Sequence, residues 1–439
     1  MSWSQKDAYW SRPFDCHDEM LHFIRSQGEP INREHWMFLV TTQISFPPQV
    51  EDIIDRLRNA WKTLRFRHPD IALEVHSDEK RYYPIYDDES LEKWCNEIFQ
   101  VETECSFADD FFTKQRRSAP LANATLHWIP ATNEFVLVSS HILWDGRGGM
   151  LMTHEFLSAL ENPIIPTKFD GAEAKKLVPS IDTVTGMPDK PKPEWERTAD
   201  EMLQQYVESQ PSIGLLPPGD PKAKKLPAGM DRREVVFTPE EAKSLREATP
   251  IMALAEMHDR DSQPEKFVAW SLFDLRRFLP PPFNGAEHAP SIRIASLPII
   301  VKAHGSWSEI SSPLNDLNRT SWDVKESDKM FVRDPLNRKA TDMFKMAAAH
   351  PDVAPPPSSE PFMSSMGIFD DVVKHGYGHF SVENVAILCG TLTPAICLHI
   401  WSWKDALHIS STYNVAYYNS DIILRYLTFL KGILRKNLL

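Results

Sequence analysis

The stretch that most limits the possible fold of this chain is EFVLVSSHILWDGRGG, residues 134–149. Its first part is apolar on both faces of an extended chain, which predicts a central strand of a sheet covered on both sides. The strand ends in a histidine, followed by an aspartate and three glycines. Apolar residues then recur at helical spacing, namely Met152, Phe156 and Leu160. A strand that passes through a short glycine-rich turn into a helix predicts an α/β (or α+β) fold.

Other segments also show the apolar spacing of strands and helices. In HWMFLVTTQI the apolar residues alternate, which predicts a half-buried strand. The segment VEDIIDRLRNAWKTLRFRHPDI has apolar residues at helical spacing, and Pro69 should end that helix. Near the C-terminus the pattern predicts a β-hairpin that turns near Lys404 and Asp405, followed by a helix that begins near Ser420.

The length of 439 residues suggests two domains or lobes. We expect an N-terminal lobe over residues 1–160, a proline-rich crossover over 161–230 and a C-terminal lobe over 231–439. The middle segment is rich in proline and poor in apolar periodicity, so it should be extended and should contribute little to a core.

Charge and cysteine content limit the function. A formal net charge of −13 argues against a nucleic-acid or anionic-membrane partner, since either needs a broad basic surface. No apolar run approaches membrane-spanning length and the first residues do not resemble a signal peptide, so we expect a cytoplasmic monomer. The cysteines and histidines lack metal-ligand spacing, so we expect no metal and five buried thiols: Cys16, Cys95, Cys105, Cys389 and Cys397.

His141 is the candidate catalytic residue. A strand end holds its ring rigidly, and an imidazole can take a proton from an attacking alcohol, thiol or amine and return it later. Asp145 could orient that ring, or it could pair with a distant arginine and fix the loop. Glycines at 146, 148 and 149 would allow a tight turn and leave space for a ligand.

The segment HILWDG resembles the HxxxDG signature of the CoA-dependent acyltransferase superfamily, which includes chloramphenicol acetyltransferase, the plant BAHD enzymes and peptide-synthetase condensation domains. Further segments resemble this superfamily along nearly the whole chain, namely LRNAWKTLRFRHPDIALEV, PSIGLLPPGD, FTPEEAKSLREA, SSMGIFDD and LHISSTYNVAYYNS. The likeness is greatest to stand-alone fungal enzymes of the trichothecene 15-O-acetyltransferase type. The residue before His141 is Ser140, where condensation domains carry a second histidine.

This resemblance implies two similar chloramphenicol-acetyltransferase-like lobes, each a mixed sheet flanked by helices, with a tunnel between them. It makes His141 the general base and Asp145 a structural residue whose carboxylate turns away from the ring. Its arginine partner would be Arg276, in FDLRR, and Gly146 would keep the tunnel open. Trp144 could line the tunnel or could be a packed core residue.

Acyl transfer also needs a donor aimed at the oxyanion that forms. The candidates are side chains of the C-terminal lobe, each of which could instead be structural: Ser364, Ser365, Ser411 and Asn414. The expected function is transfer of an acyl group, most simply acetyl, from acetyl-CoA or another acyl-CoA to a hydroxyl of a small hydrophobic metabolite.

Two alternatives stay open. One is condensation or cyclisation of a carrier-bound chain by the same histidine. The other is a degenerate member that binds a ligand or catalyses a rearrangement without acyl transfer; the segment near 245–265, which is shorter than its counterpart in the family, favours this reading.

Overall fold

The structure is a computed structural model that describes residues 2–115, 120–166, 168–219, 228–238, 248–257, 264–352, 354 and 359–438. It has a mixed α/β architecture, which confirms the fold class predicted from the sequence.

The described residues form sixteen strands, numbered in chain order. These are β1 Ser4–Gln5, β2 Trp10–Pro13, β3 Met37–Ser45, β4 Glu74–Val75, β5 Glu79–Tyr82, β6 Phe99–Val101, β7 Thr125–Ile129, β8 Glu134–Ser140, β9 Met230–Phe237, β10 Lys266–Asp274, β11 Ile294–Lys302, β12 Phe362–Ile368, β13 Gly376–Tyr377, β14 Phe380–Cys389, β15 Cys397–Trp403 and β16 Ala406–Asn414.

The α-helices of the described residues are α1 Cys16–Ser26, α2 Ile53–Arg67, α3 Asp88–Ile98, α4 Ala108–Gln115, α5 Gly146–Glu161, α6 Ile181–Thr185, α7 Pro193–Glu208, α8 Ala248–Met257, α9 Trp307–Asn318, α10 Lys329–Ala349 and α11 Ser420–Leu438. Single turns of 3₁₀-helix connect several of them, including Pro69–Ala72 and Arg276–Phe278.

The chain divides into two compact units. Unit 1 comprises Met1–Pro188, Arg276–Arg293 and Ile368–Cys389, and unit 2 comprises Asp189–Leu275, Ile294–Gly367 and Gly390–Leu439. The spans expected from the sequence divide the chain differently, because two segments of the C-terminal half contribute to unit 1.

Unit 1 is built on a mixed sheet of six strands in the order β13-β14-β3-β8-β7-β6. Only β6 and β7 pair in parallel, while β3 pairs antiparallel with both β14 and β8. Aromatic side chains join its helices to this sheet: Phe156 of α5 packs edge-on against both Phe135 of β8 and Trp61 of α2. The strand that leads to His141 therefore lies in the middle of the sheet, as its apolar sequence predicts.

Unit 2 contains the antiparallel strands β9, β16 and β15, with β12 beside β15. One face of this sheet belongs to a core cluster that also includes α8 and α11, with Leu398, Ile409 and Tyr413 from the strands and Leu427 and Leu430 from α11. The hairpin turns at Lys404 and Asp405, which both have positive φ, and α11 begins at Ser420. Both features match the sequence prediction.

Two predictions about local structure are wrong. Strand β3 is a central strand, between β14 and β8, and it is buried on both faces from Met37 to Thr42. The proline-rich segment contains the 16-residue helix α7, and it contributes buried residues to its surroundings, among them Trp195 and Tyr206. Pro193 occupies the first turn of α7, where a missing N–H costs nothing, so proline there begins the helix.

All five cysteines are free and buried, which confirms the prediction for them. Among the described residues, none of the helices combines the length and the apolar character that crossing a bilayer would need.

Candidate active site around His141

The candidate site lies where β8 ends in unit 1. His141 follows the last strand residue, and the N–H of Leu143 donates to the carbonyl of Ser140, which closes a tight turn. Helix α5 begins four residues after Ile142. His141 is therefore held between a central strand and a helix N-terminus, which are both rigid elements.

Aromatic side chains surround the His141 ring. The ring centroid lies 5.5 Å from that of Phe38 and 6.0 Å from that of Trp36. Trp36 has a φ of 64°, in the left-handed region that a bulky side chain seldom adopts. Such a conformation persists only where the surroundings hold it, and it is found most often at functional sites.

His141 is half-buried, and its two ring nitrogens differ. Nδ1 is buried and makes no hydrogen bond of standard geometry to a described residue. Burial lowers the pKa of His141, although the backbone carbonyls of His141 and Trp144 and the charge of Asp145 act in the opposite direction. The ring is therefore neutral near pH 7.

Asp145 is buried and caps the N-terminus of α5. Its Oδ1 accepts from the N–H of Gly148 at 2.7 Å, and its Oδ2 accepts from the N–H of Arg293 at 2.7 Å. Nη1 of Arg276 lies 3.0 Å from both carboxylate oxygens. These donors occupy the carboxylate, so Asp145 braces the turn and makes no hydrogen bond to the imidazole.

The two arginines beside Asp145 are also buried. Nη2 of Arg276 donates to the carbonyl of Ser291 at 3.3 Å, which ties Arg276–Phe278 to the segment before β11. Nη2 of Arg293 donates to the carbonyl of Pro179 at 2.8 Å. Burial, and then the charge of Arg276, lowers the pKa of Arg293 to about 9. Segments far apart in sequence therefore meet at this carboxylate.

Two glycines of the motif are required by close approach. A Cβ at Gly148 would lie 2.7 Å from the carbonyl oxygen of Ala289, and one at Gly149 would lie 2.5 Å from Cε1 of Phe38. Either side chain would push the start of α5 away from its neighbours. Gly146 is half-buried and is the first residue of α5.

Trp144 has no exposed surface. A side chain without accessible area is packed in the core, which is one of the two places that the sequence allows for Trp144.

The hydroxyl candidates in β12 are not buried. Ser365 is exposed, and the half-buried Ser364 has its Oγ 3.3 Å from the sulfur of Met366. Neither hydroxyl is held by a strong acceptor, so neither is fixed in the way that stabilising an oxyanion requires.

The candidates in β16 are fully buried. Oδ1 of Asn414 accepts from the N–H groups of Ala228 and Ala416, both at 3.0 Å, and its Nδ2 donates to the carbonyl of Thr391 at 3.1 Å. Asn414 therefore braces the end of the strand. Oγ of Ser411 has no hydrogen-bond partner among the described residues.

The strand period explains the environment of Ser411. Successive side chains of a strand point to opposite faces, so Ser411 shares a face with Ile409 and Tyr413, which belong to the apolar core of unit 2. Ser410 and Thr412 lie on the other face, where Oγ of Ser410 accepts from Nε of Arg232 at 2.8 Å.

Some site residues were not predicted from the sequence. Arg293 and Lys80 both contact the His141 turn but lie far from it in the chain: the Arg293 N–H contacts Asp145, and Lys80 Nζ contacts the carbonyl of Ile142. No local pattern marks either residue. The N-cap role of Asp145 could have been predicted, since an aspartate just before a helical pattern is a common N-cap.

The fungal relatives of this chain include two acetyltransferases that match along nearly their whole length. No protein-family model matches the chain. The O-acetyltransferase pigM of Monascus ruber is 26% identical, with 100% of this chain and 87% of the relative covered. The acetyltransferase pigO of the same fungus is also 26% identical, with 99% and 97% covered.

Solved structures share the fold. Trichothecene 15-O-acetyltransferase TRI3 from Fusarium sporotrichioides matches with a TM-score of 0.77 at 16% identity, covering 100% of this chain and 98% of that one. The first condensation domain of the CDA synthetase matches with a TM-score of 0.59 at 13% identity, covering 96% of each chain. The chain is therefore similar along its full length to fungal acetyltransferases, and it shares its fold with these two structures.

Proposed function

We propose that the protein transfers an acyl group, acetyl in the first instance, from acyl-CoA to a hydroxyl of a hydrophobic fungal metabolite, with His141 as general base. The observation that carries this proposal is the half-buried, neutral imidazole at a rigid strand end, whose Nδ1 is buried. The acetyltransferase names of the full-length relatives support the same reaction class.

In this reaction Nε2 of His141 takes the hydroxyl proton as the oxygen attacks the thioester carbonyl. The new C–O bond forms, the C–S bond breaks, and the imidazolium returns the proton to the leaving thiolate. No covalent acyl-enzyme is needed, because a neutral base is sufficient when both substrates are bound together. Asp145 takes no part in proton transfer, since its carboxylate is bound to Arg276 and to two backbone amides.

The first prediction concerns His141→Ala. Loss of a positioned base typically costs about 10²–10⁴ in rate, so kcat should fall at least about a hundredfold. The wild-type rate should decrease in acid only below the ordinary histidine range, because burial lowers the pKa of His141. Release of thiol from acetyl-CoA measures the rate with a panel of hydroxylated fungal metabolites, including a trichothecene with a free 15-hydroxyl.

The matched control is His154→Ala. His154 is also a histidine of unit 1, but its Nδ1 contacts the hydroxyl of Tyr377 at 2.7 Å, away from the candidate site. This variant should keep the wild-type rate and pH profile. A His141→Ala variant that transfers acetyl at the wild-type rate would refute the role of His141.

A second candidate function is condensation or cyclisation of a carrier-bound chain, which the structural match to a condensation domain supports. The two reactions differ in the donor. Turnover with acyl carrier protein and none with acetyl-CoA would favour condensation, while absence of turnover with every donor would favour a protein that binds a ligand or rearranges it.

We further propose a cytoplasmic monomer that uses acyl-CoA as co-substrate, requires no metal and binds neither nucleic acid nor membrane. The net charge of −13 supports the last two points. Light scattering of the purified protein tests the monomer, a tagged copy tests the location, and turnover after dialysis against a chelator tests metal independence.

A further inference from the structure

The turn that carries His141 is fixed at two points. One is Asp145 at its end, described above. The other is the carbonyl of Ile142, the residue directly after His141, which accepts a hydrogen bond from Nζ of Lys80 at 2.6 Å. This second contact lies one peptide bond from the proposed base, closer along the chain than any contact of Asp145.

Lys80 lies in β5 and is only 3% exposed. Its Nζ also lies 2.6 Å from Oδ1 of Asp18, which is itself buried. Asp18 is held in turn by Nη2 of Arg12 at 2.9 Å and by the N–H of Asp15 at 3.1 Å. The ammonium group is therefore fixed in place by a carboxylate that cannot move freely.

This arrangement does more than neutralise a buried charge. Burial lowers the pKa of Lys80, and the ion pair with Asp18 opposes that change. One carboxylate would be enough to compensate the ammonium, yet a further N–H is directed at the backbone of the His141 turn. A charged donor makes a stronger hydrogen bond to a carbonyl than a neutral donor does.

We propose that Lys80 is a positioning residue, which holds the Ile142 carbonyl so that the His141 ring keeps its place for proton transfer. The proposal rests on the function proposed for His141. A displacement of about 1 Å in a reacting group can cost about a hundredfold in rate, so an anchor one residue away controls catalysis without contacting substrate.

The test compares Lys80→Met with Lys62→Met. Lys62 is another buried lysine of unit 1, paired with Glu92, and the structure shows no contact between it and the His141 turn. With acetyl-CoA and the best acceptor of the panel, Lys80→Met should lower kcat by about 10- to 100-fold with little change in KM for acetyl-CoA. Lys62→Met should keep the wild-type kcat.

Lys80→Met leaves the Asp18 carboxylate without one partner and could fail to fold, so the double variant Lys80→Met/Asp18→Asn is measured as well. It removes both charges of the pair, and Arg12 keeps the carboxylate of Asp15 at 3.6 Å as a partner, so most of the stability should return. The proposal expects kcat to stay low when stability returns. Recovery of wild-type kcat together with stability would show that Lys80 is only structural, and the proposal would be overturned.

A readout without substrate separates this proposal from the proposed function. The Cε1–H resonance of His141 is assigned by its loss in His141→Gln. It should shift or broaden in the double variant and remain unchanged in Lys62→Met, and an unchanged resonance in the double variant would overturn the positioning role. Wild-type turnover in His141→Ala, by contrast, would refute the proposed function while the resonance still reports on Lys80.

Discussion

Asp145 in unit 1 and Asn414 in unit 2 occupy comparable places and are stabilised differently. Both are buried, both follow or end a strand, and both accept from two backbone amides. Asn414 completes its hydrogen bonds with a backbone carbonyl, whereas Asp145 needs the guanidinium of Arg276. The neutral brace is held mainly by backbone groups, while the charged brace also depends on the guanidinium of Arg276 from a distant segment.

The difference suggests why the charged brace lies beside His141. A carboxylate accepts at both oxygens, so one side chain can tie the start of α5, the N–H of Arg293 and Arg276 together. An amide has one acceptor oxygen and could not hold the same three groups. The turn next to the proposed base gains rigidity, and it becomes more sensitive to loss of either charged partner.

The largest expected effect comes from breaking the charged brace. Asp145→Ala leaves Arg276 buried without its carboxylate, which should cost about 3 kcal/mol of unfolding free energy and also reduce activity. Asn414→Ala removes neutral hydrogen bonds only and should cost less, about 1–2 kcal/mol. Urea unfolding of both variants measures the difference.

The opposite result is informative. If Asp145→Ala unfolds at the wild-type urea concentration and loses only catalysis, the carboxylate acts on the His141 imidazole and the brace interpretation fails. A larger loss for Asn414→Ala than for Asp145→Ala would reverse the comparison between the units.

A second buried carboxylate, Asp70, tests how much Asp145 depends on the charge of Arg276. Asp70 is also buried, but its two oxygens accept from the N–H of Val178, both at 3.2 Å, and burial raises the pKa of Asp70 to about 7. Between about pH 4 and 7, Asp70 therefore keeps a proton in the folded state and has lost it in the unfolded state. The stability contributed by this proton is complete in acid and is lost as pH rises through about 7.

Asp70→Asn should remove this dependence. Between about pH 5.5 and 8 the wild type should lose about 2 kcal/mol relative to the variant, which keeps an acceptor for the Val178 amide. Urea unfolding at both pH values measures the change. A constant difference between the two proteins would mean that Asp70 is ionised throughout, stabilised by Lys80 and Arg12.

The sequence predicts the elements of this fold better than it predicts the site. A continuous apolar run identifies β8, and apolar residues at helical spacing identify α2 and α5. These patterns are local, because they reflect which faces of a single element are buried. The His141 motif is local too. The contacts of Asp145 with Arg293 and of Ile142 with Lys80 join residues that are far apart in the chain, so they follow from the tertiary fold and leave no periodic trace.

The face of β16 on which Ser411 lies decides whether its hydroxyl could stabilise an oxyanion. The sequence places four hydroxyl or amide residues close together in β16, and period two alone does not say which face is apolar. The structure directs Ser411 toward the core of unit 2 and directs Ser410 to the face with Arg232.

The smallest expected effect follows from that difference. The buried Oγ of Ser411 has no partner among the described residues, and a buried hydroxyl without a hydrogen bond costs free energy in the folded state. Ser411→Ala should therefore leave stability unchanged or raise it by less than about 1 kcal/mol, and kcat should stay at the wild-type value. The matched change Ser410→Ala removes the acceptor of the Arg232 Nε–H and should be destabilising by about 1 kcal/mol. Removal of an oxyanion donor typically costs about 10²–10³ in kcat, so a loss of that size in Ser411→Ala, with normal unfolding, would mean that the Ser411 hydroxyl contacts the reacting group and that its core placement does not describe the working enzyme.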